Sequence, residues 1–191
     1  MDEGYIYPPL EDTYQTLDIA LLAIRGVNPG TVIEVGAGSG YVILNLAKSA
    51  LNRGFNFIAT DISCAALRHI RGHADVDLDL VCCSLLSCFR DFKPSLIIFN
   101  TPYLHCTPQE CSTGDPAYLA ICRNCRGDVL VSFINDASRF RSTIVLTLLW
   151  GDVDDVAELV KGSYLISTIK NSHFFFEDVS TIILSPFKQS Q

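Results

Sequence analysis

The sequence predicts an α/β fold: a seven-stranded, mostly parallel sheet with a Rossmann-like alternation of strands and helices, closed by an antiparallel C-terminal hairpin. Three observations lead there. Short β-branched runs alternate with stretches of helical periodicity. A glycine-rich turn follows the first of those runs, where α/β sheets bind ligands at their carboxyl edge. The last two apolar runs are joined by a short loop, which suits a hairpin and leaves no room for a crossover helix.

Over residues 11–25, Leu17, Ala20, Leu21 and Ile24 recur at helical spacing, and Asn28-Pro29-Gly30 ends the helix. "TVIEV" (31–35) is the first strand, followed by a helix over 41–51 that ends near Gly54. "FNFIAT" (55–60) is the second strand and 65–73 a short helix. "LDLVCC" (78–83) and "SLIIF" (95–99) are the third and fourth strands. A polar loop follows to residue 127, then a helix over 128–140. "TIVLTLL" (143–149) is the fifth strand, 153–160 a helix, and "YLISTI" with "VSTIILS" the hairpin. Without a linker or repeat, residues 1–191 read as a single domain. Within it, residues 1–28 form an N-terminal segment and helix, and residues 101–127 a polar loop.

Composition narrows the function classes. The chain is 49% apolar and 18% charged, which suits a globular core rather than disorder. A net charge of -7 argues against a protein that holds nucleic acid by its phosphates. The start has no basic region followed by an apolar core, so the expected location is cytoplasmic or nuclear. Eight cysteines are then expected as reduced thiols. Cys106, Cys111, Cys122 and Cys125 could close a zinc site, but the spacing of the first pair is loose. Ordinary reduced cysteines are the expectation, and no metal ligand is assigned.

The glycine turn reads "EVGAGSG": Glu34, Gly36, Gly38 and Gly40. A dinucleotide site favours G-x-G-x-x-G, with pyrophosphate on the helix N-terminus. Here the spacing is G-x-G-x-G with an acid two residues upstream, which repels phosphate and suits a ligand with a cationic amino-acid end. The second strand leads to Asp61, whose carboxylate can accept both hydroxyls of a ribose. Together these features fit S-adenosylmethionine better than NAD. The fourth strand then ends in "FNTPYL", an amide, a stiffened backbone and an aromatic ring. Asn100 and the carbonyl of residue 101 can accept the two N–H groups of a planar amide, with Tyr103 over its flat face.

"YPPLEDT" (7–13), "EVGAGSG" (34–40) and "FNTPYL" (99–104) match, in order and spacing, the Y-x-P-x-E-D-T, E-V-G-x-G-S-G and F-N-P-P-Y tracts of the HemK-like protein-glutamine N5-methyltransferases. The chain most resembles the eukaryotic and archaeal branch that acts on the class 1 peptide-chain release factor, and the resemblance spans nearly its whole length. It implies the class I S-adenosylmethionine-dependent methyltransferase fold, with the glutamine of a Gly-Gly-Gln motif as substrate. It also implies residue roles. Thr13 and the acids before it lie over the cofactor. Glu34, Gly36 and Gly38 pass beneath its methionine moiety, Asp61 takes the ribose with Ile62 beside it, and Ser84 and Leu85 flank the adenine. Asn100, Thr101, Pro102 and Tyr103 hold the substrate amide, Asn100 also touching the cofactor. The branch works with a small zinc-binding activator subunit, expected here at the edge strand 78–83, and any zinc is expected in that partner. The chain departs from the pattern at Thr101 (proline in the family), at Ser84 (aspartate), and at "LAICRNC" (119–125), which replaces a W-A-G-G-x-N-G loop. Rival readings are an adenine-N6 nucleic-acid methyltransferase, whose exocyclic amine offers the same planar donors, and a non-catalytic scaffold of the same fold.

Overall fold

A computed structural model describes residues 5–90, 92–174 and 176–187. The chain builds one sheet from β1 (Thr31–Val35), β2 (Asn56–Asp61), β3 (Asp79–Cys82), β4 (Leu96–Asn100), β5 (Thr143–Leu149), β6 (Tyr164–Phe174) and β7 (Glu177–Pro186). Their order in space is β3-β2-β1-β4-β5-β7-β6. The first five strands run parallel, β7 pairs antiparallel with β5, and β6 pairs antiparallel with β7. All seven expected strands are present. The hairpin strands run well past their apolar cores because β6 is an edge. Along it exposed and half-buried residues alternate, so polar Asn171, Ser172 and His173 extend it without cost to the core.

Helices cover both faces. α1 (Glu11–Gly26), α2 (Tyr41–Ser49) and α3 (Cys64–His73) share one apolar cluster with Val32, Leu96 and Ile98. α6 (Val129–Ser138) and α7 (Val153–Leu159) share the other with Ile33, Ile97 and Phe99. Adjacent residues of β1 and β4 thus point into opposite cores, which is why these strands read as unbroken apolar runs. Burying each of these side chains contributes about 1.5–3 kcal/mol, so the sheet centre is a rigid platform for whatever its carboxyl ends carry.

Two expectations change. The stretch 101–127 is no plain loop; it contains α4 (Pro108–Ser112) and α5 (Pro116–Ile121). Both start on a capped proline turn. Thr107 accepts from Glu110 N while Glu110 reaches back to Thr107 N, and Asp115 accepts from Ala117 N. They were hidden because helices this short show no periodicity. The cysteines are not all reduced thiols: disulfides join Cys64 to Cys82, Cys106 to Cys122 and Cys111 to Cys125. The fold brings these pairs to Cα separations of 5.6, 5.6 and 5.0 Å, within bridging range. Sequence spacing alone could not reveal that proximity. Cys83 and Cys88 remain free, with their sulfurs 2.6 Å apart.

β3 lies at one edge, as the sequence order implies, and pairs only with β2. Its apolar stripe is less open than the sequence suggests. Leu78 and Leu80 pack on the α1–α3 core, Val81 is half-buried, and Asp79 and Cys82 are the exposed positions. Among the described residues no helix is long and apolar enough to cross a membrane.

Candidate active site

Between β2 and β4 the chain order reverses around β1, and the carboxyl ends of the three strands frame a cavity of 580 Å³. One half is lined by Thr13, Glu34, Gly36, Gly38, Asp61 and Ile62, with Ser84 and Leu85 on the same wall. The other half is lined by Asn100, Thr101, Pro102 and Tyr103. The structure therefore gathers every site residue picked out from the sequence.

The glycine turn is held from below. Gly36 has φ +61°, and a Cβ there would lie 3.1 Å from the Phe99 ring. Gly40 caps α2 at φ +77°, where a Cβ would press to 2.7 Å from Ile70. Only glycine meets both demands. Glu34 sits under this turn with one oxygen accepting from Ile43 N at 2.9 Å, a remote cap for the first turn of α2. Burial pushes its carboxyl up to about 8, against the Ile43 bond that lowers it and with Asp61 raising it further. The site thus holds a buried acid that gains most from a cation. Asp61 accepts from Ser63 N at 2.7 Å and from Gly38 N at 2.9 Å, one bond per oxygen. Each oxygen keeps a second lone pair. Burial raises this carboxyl too, although the backbone N–H groups of Ser63, Gly38 and Ile62 pull it down. Leu85, with φ +50°, holds a conformation uncommon for a branched side chain.

In the other half, the organising group is Asp12. Its Oδ2 accepts from Asn100 Nδ2 at 2.9 Å, from Tyr7 Oη at 3.1 Å and from Tyr103 Oη at 3.4 Å. Its Oδ1 accepts from Thr13 N at 2.7 Å. Burial, then the Asp12 charge, raises both tyrosine hydroxyls above their ordinary range, so they remain donors. Asn100 Oδ1 is buried and has no partner among the described residues. The resemblance places the N-terminal acids over the cofactor; the structure has Asp12 bonded to Asn100 and Tyr103, in the other half of the cavity.

Behind Asp12 runs a relay that the sequence does not show. Gln15 Nε2 donates to Thr181 Oγ1, and Thr181, Thr147 and Thr16 follow at 2.8 and 2.6 Å. Thr16 donates to the Asp12 carbonyl at 2.7 Å. Each hydroxyl has one proton, so that last bond orders the chain of donors from β7 through β5 to α1. Thr101 is anchored to the same strand. Its N–H and its hydroxyl both donate to Thr147 O, at 3.1 and 2.8 Å. Its carbonyl accepts no backbone hydrogen bond among the described residues.

The altered segment 119–125 has an anchor of its own. Arg123 is buried and donates to both oxygens of Asp128, at 3.0 and 2.6 Å, and pairs with Asp152 at 2.6 Å. The Asp128 bond holds the guanidinium above its ordinary range and lowers the carboxyl of Asp128. Leu104 exchanges backbone hydrogen bonds with Ile121 and Arg123, so this segment lies beside the end of "FNTPYL".

No protein-family model matches the chain, and no curated protein matches it in sequence. Solved structures do match in shape. The E. cuniculi Mtq2–Trm112 complex, responsible for methylation of the eRF1 translation termination factor, superposes with a TM-score of 0.67 at 22% identity, covering 95% of this chain and 99% of that one. A ribosomal protein L11 methylase from Lactobacillus delbrueckii gives 0.65 at 19% identity, covering 95% and 81%. The magnesium protoporphyrin IX methyltransferase of Synechocystis, solved with bound S-adenosylmethionine, gives 0.64 at 15% identity, covering 91% and 80%. Strand order, hairpin and these likenesses agree: the chain has the class I S-adenosylmethionine-dependent methyltransferase fold.

Proposed function

We propose that the protein is an S-adenosylmethionine-dependent methyltransferase acting on the side-chain amide nitrogen of a glutamine in a protein, with the Gly-Gly-Gln glutamine of the class 1 release factor as target. The carrying observation is the buried, unpartnered Oδ1 of Asn100, whose nitrogen is committed to Asp12. An orphaned acceptor of this kind is costly unless a ligand donor fills it.

The cofactor half fits the proposed ligand. The glycine turn admits close backbone approach, Asp61 keeps a free lone pair on each oxygen for a diol, and Glu34 is a buried carboxyl that a nearby ammonium would hold ionised. When bound, S-adenosylmethionine supplies a methyl group already activated by its sulfonium. An amide nitrogen is a poor nucleophile, so the chain contributes alignment and charge stabilisation. Asn100 Oδ1 accepts one substrate N–H, the Thr101 carbonyl accepts the other, and the Tyr103 ring covers the amide plane. These acceptors stabilise the positive charge that develops on nitrogen, which then gives up one proton to water.

An adenine amino group presents the same donor pair. The net charge of -7, with Arg68 and Arg126 the only cations lining the cavity among the described residues, disfavours a phosphate-bearing substrate. The E. cuniculi relative, solved with Trm112 as its partner, supports the release-factor reading and a small activator subunit. For that subunit the unpaired edge of β3 is the proposed docking strand. The deciding experiment is transfer of tritiated methyl to a release factor, alone and with the activator, and to its Gln→Ala variant, with adenine-containing DNA and RNA in parallel. Label that persists in the variant, or that enters nucleic acid instead, overturns the glutamine assignment.

A further inference from the structure

Four cysteines meet beside the substrate half of the cavity. Cys106 precedes α4, Cys111 lies within it, and Cys122 and Cys125 follow α5. The Sγ atoms of Cys106, Cys122 and Cys125 all lie within 4.8 Å of one another, and Cys111 is bonded to Cys125. Two independent disulfides have no need to converge on one point. A tetrahedral ion does: zinc–sulfur bonds of about 2.3 Å set neighbouring sulfurs about 3.8 Å apart.

A second observation concerns what holds this segment. Neither α4 nor α5 buries a residue, so apolar packing contributes little. Beside the Arg123 ion pairs, the backbone is fixed around the sulfurs. Asn124 accepts from Cys106 N at 3.0 Å and donates to Cys106 O at 2.8 Å, which ties the first cysteine to the C-x-x-C turn. The same segment presents Pro116, Leu119, Ala120, Ile121 and Arg126 to the cavity.

We propose that in its reduced state the chain binds one Zn²⁺ through the thiolates of Cys106, Cys111, Cys122 and Cys125, and that this ion fixes the wall of the cavity facing the substrate. The disulfide and zinc forms are two states of the same four sulfurs. Reducing both disulfides takes four electrons and four protons from two equivalents of a dithiol and yields four thiols. Zn²⁺ then displaces the four protons without any change of oxidation state. The proposal extends past methyl transfer and stands independently of it.

The test is metal content. The full chain, reduced with a dithiol and shown to be folded by circular dichroism, is loaded with zinc, desalted and measured by atomic emission. One zinc per chain is expected. It should persist when Cys83 and Cys88 are both replaced by serine, and be lost when Cys111 and Cys125 are. Cobalt in place of zinc should give the absorption of a tetrahedral four-thiolate site in the unaltered chain, a readout that needs no variant to fold. A reduced, folded chain that retains neither metal overturns the proposal. So does zinc retained undiminished by the Cys111→Ser/Cys125→Ser chain.

Discussion

Asn100 turns its amide nitrogen to Asp12, Nδ2 to Oδ2 at 2.9 Å, and thereby leaves its oxygen to the cavity half that Tyr103 shares. The carboxylate can only accept, so it dictates which way the amide faces. Asn100→Ala is expected to lower turnover by about two to three orders of magnitude, the scale for one preorganised polar group. Asp12→Asn leaves the acceptor present but no longer forces its orientation, and an intermediate loss of about tenfold is expected. Calorimetric affinity for S-adenosylmethionine should change little in either. A variant that loses cofactor affinity in step with turnover would show that the pair serves the cofactor instead.

Thr101 stands where the resembling family has proline, which suggests from the sequence that proline would be tolerated. The structure corrects this, because Thr101 N–H and Oγ–H both donate to Thr147 O. Thr101→Pro removes both and is expected to destabilise the chain by about 1–3 kcal/mol in urea unfolding. Thr101→Val removes the hydroxyl bond alone and should cost less. Equal stability of all three chains would show that neither bond matters.

The Glu34 carboxyl yields a pH signature. Unfolded, it ionises near 4.5, and in the fold not until about 8. Between these values only the native state holds the proton, so stability falls as the pH rises through that window and levels above it. Glu34→Gln keeps an acceptor for Ile43 N but has no proton to lose, and its unfolding midpoint should be flatter from about pH 5 to about pH 9. A cation bound nearby favours the ionised form, so cofactor affinity should increase toward about pH 8. Identical slopes for the two proteins would remove Glu34 as the cause.

Arg123 is an ion-paired post in the 119–125 segment, where the resembling family has a tryptophan-glycine loop. Arg123→Met leaves Asp152, largely buried, without its cation, and a loss of about 2–3 kcal/mol is expected. Because Leu104 is tied to Ile121 and Arg123, KM for the proposed protein substrate should rise more than kcat falls. Unchanged KM with lowered stability would confine Arg123 to a structural role.

The sheet and the cofactor half were legible because their signals are local. The apolar runs of β1 and β4, a glycine turn with an acid two residues before it, and an acid at the end of β2 each lie within a few positions. The 101–127 segment was not, because its helices are too short for periodicity and their caps carry the signal instead. Asp12 was visible as part of a motif, but its partner is 88 residues away. The threonine relay and the cysteine pairs share that limit. Their chemistry depends on contacts between elements, and threonine or cysteine in an apolar strand reads as ordinary packing.

The relay also bears on when the molecule becomes competent. Among the described residues, all those lining the cavity lie at or before Ser132, yet Thr147 accepts its hydrogen bond from Thr181, on β7. That strand sits inside the sheet between β5 and β6, although it follows both in sequence. A nascent or clipped polypeptide that stops short of it carries that lining and lacks the first hydroxyl of the relay that ends on the Asp12 carbonyl. The lining and the bracing behind it are thus made at different times, and only a chain that has reached β7 holds both.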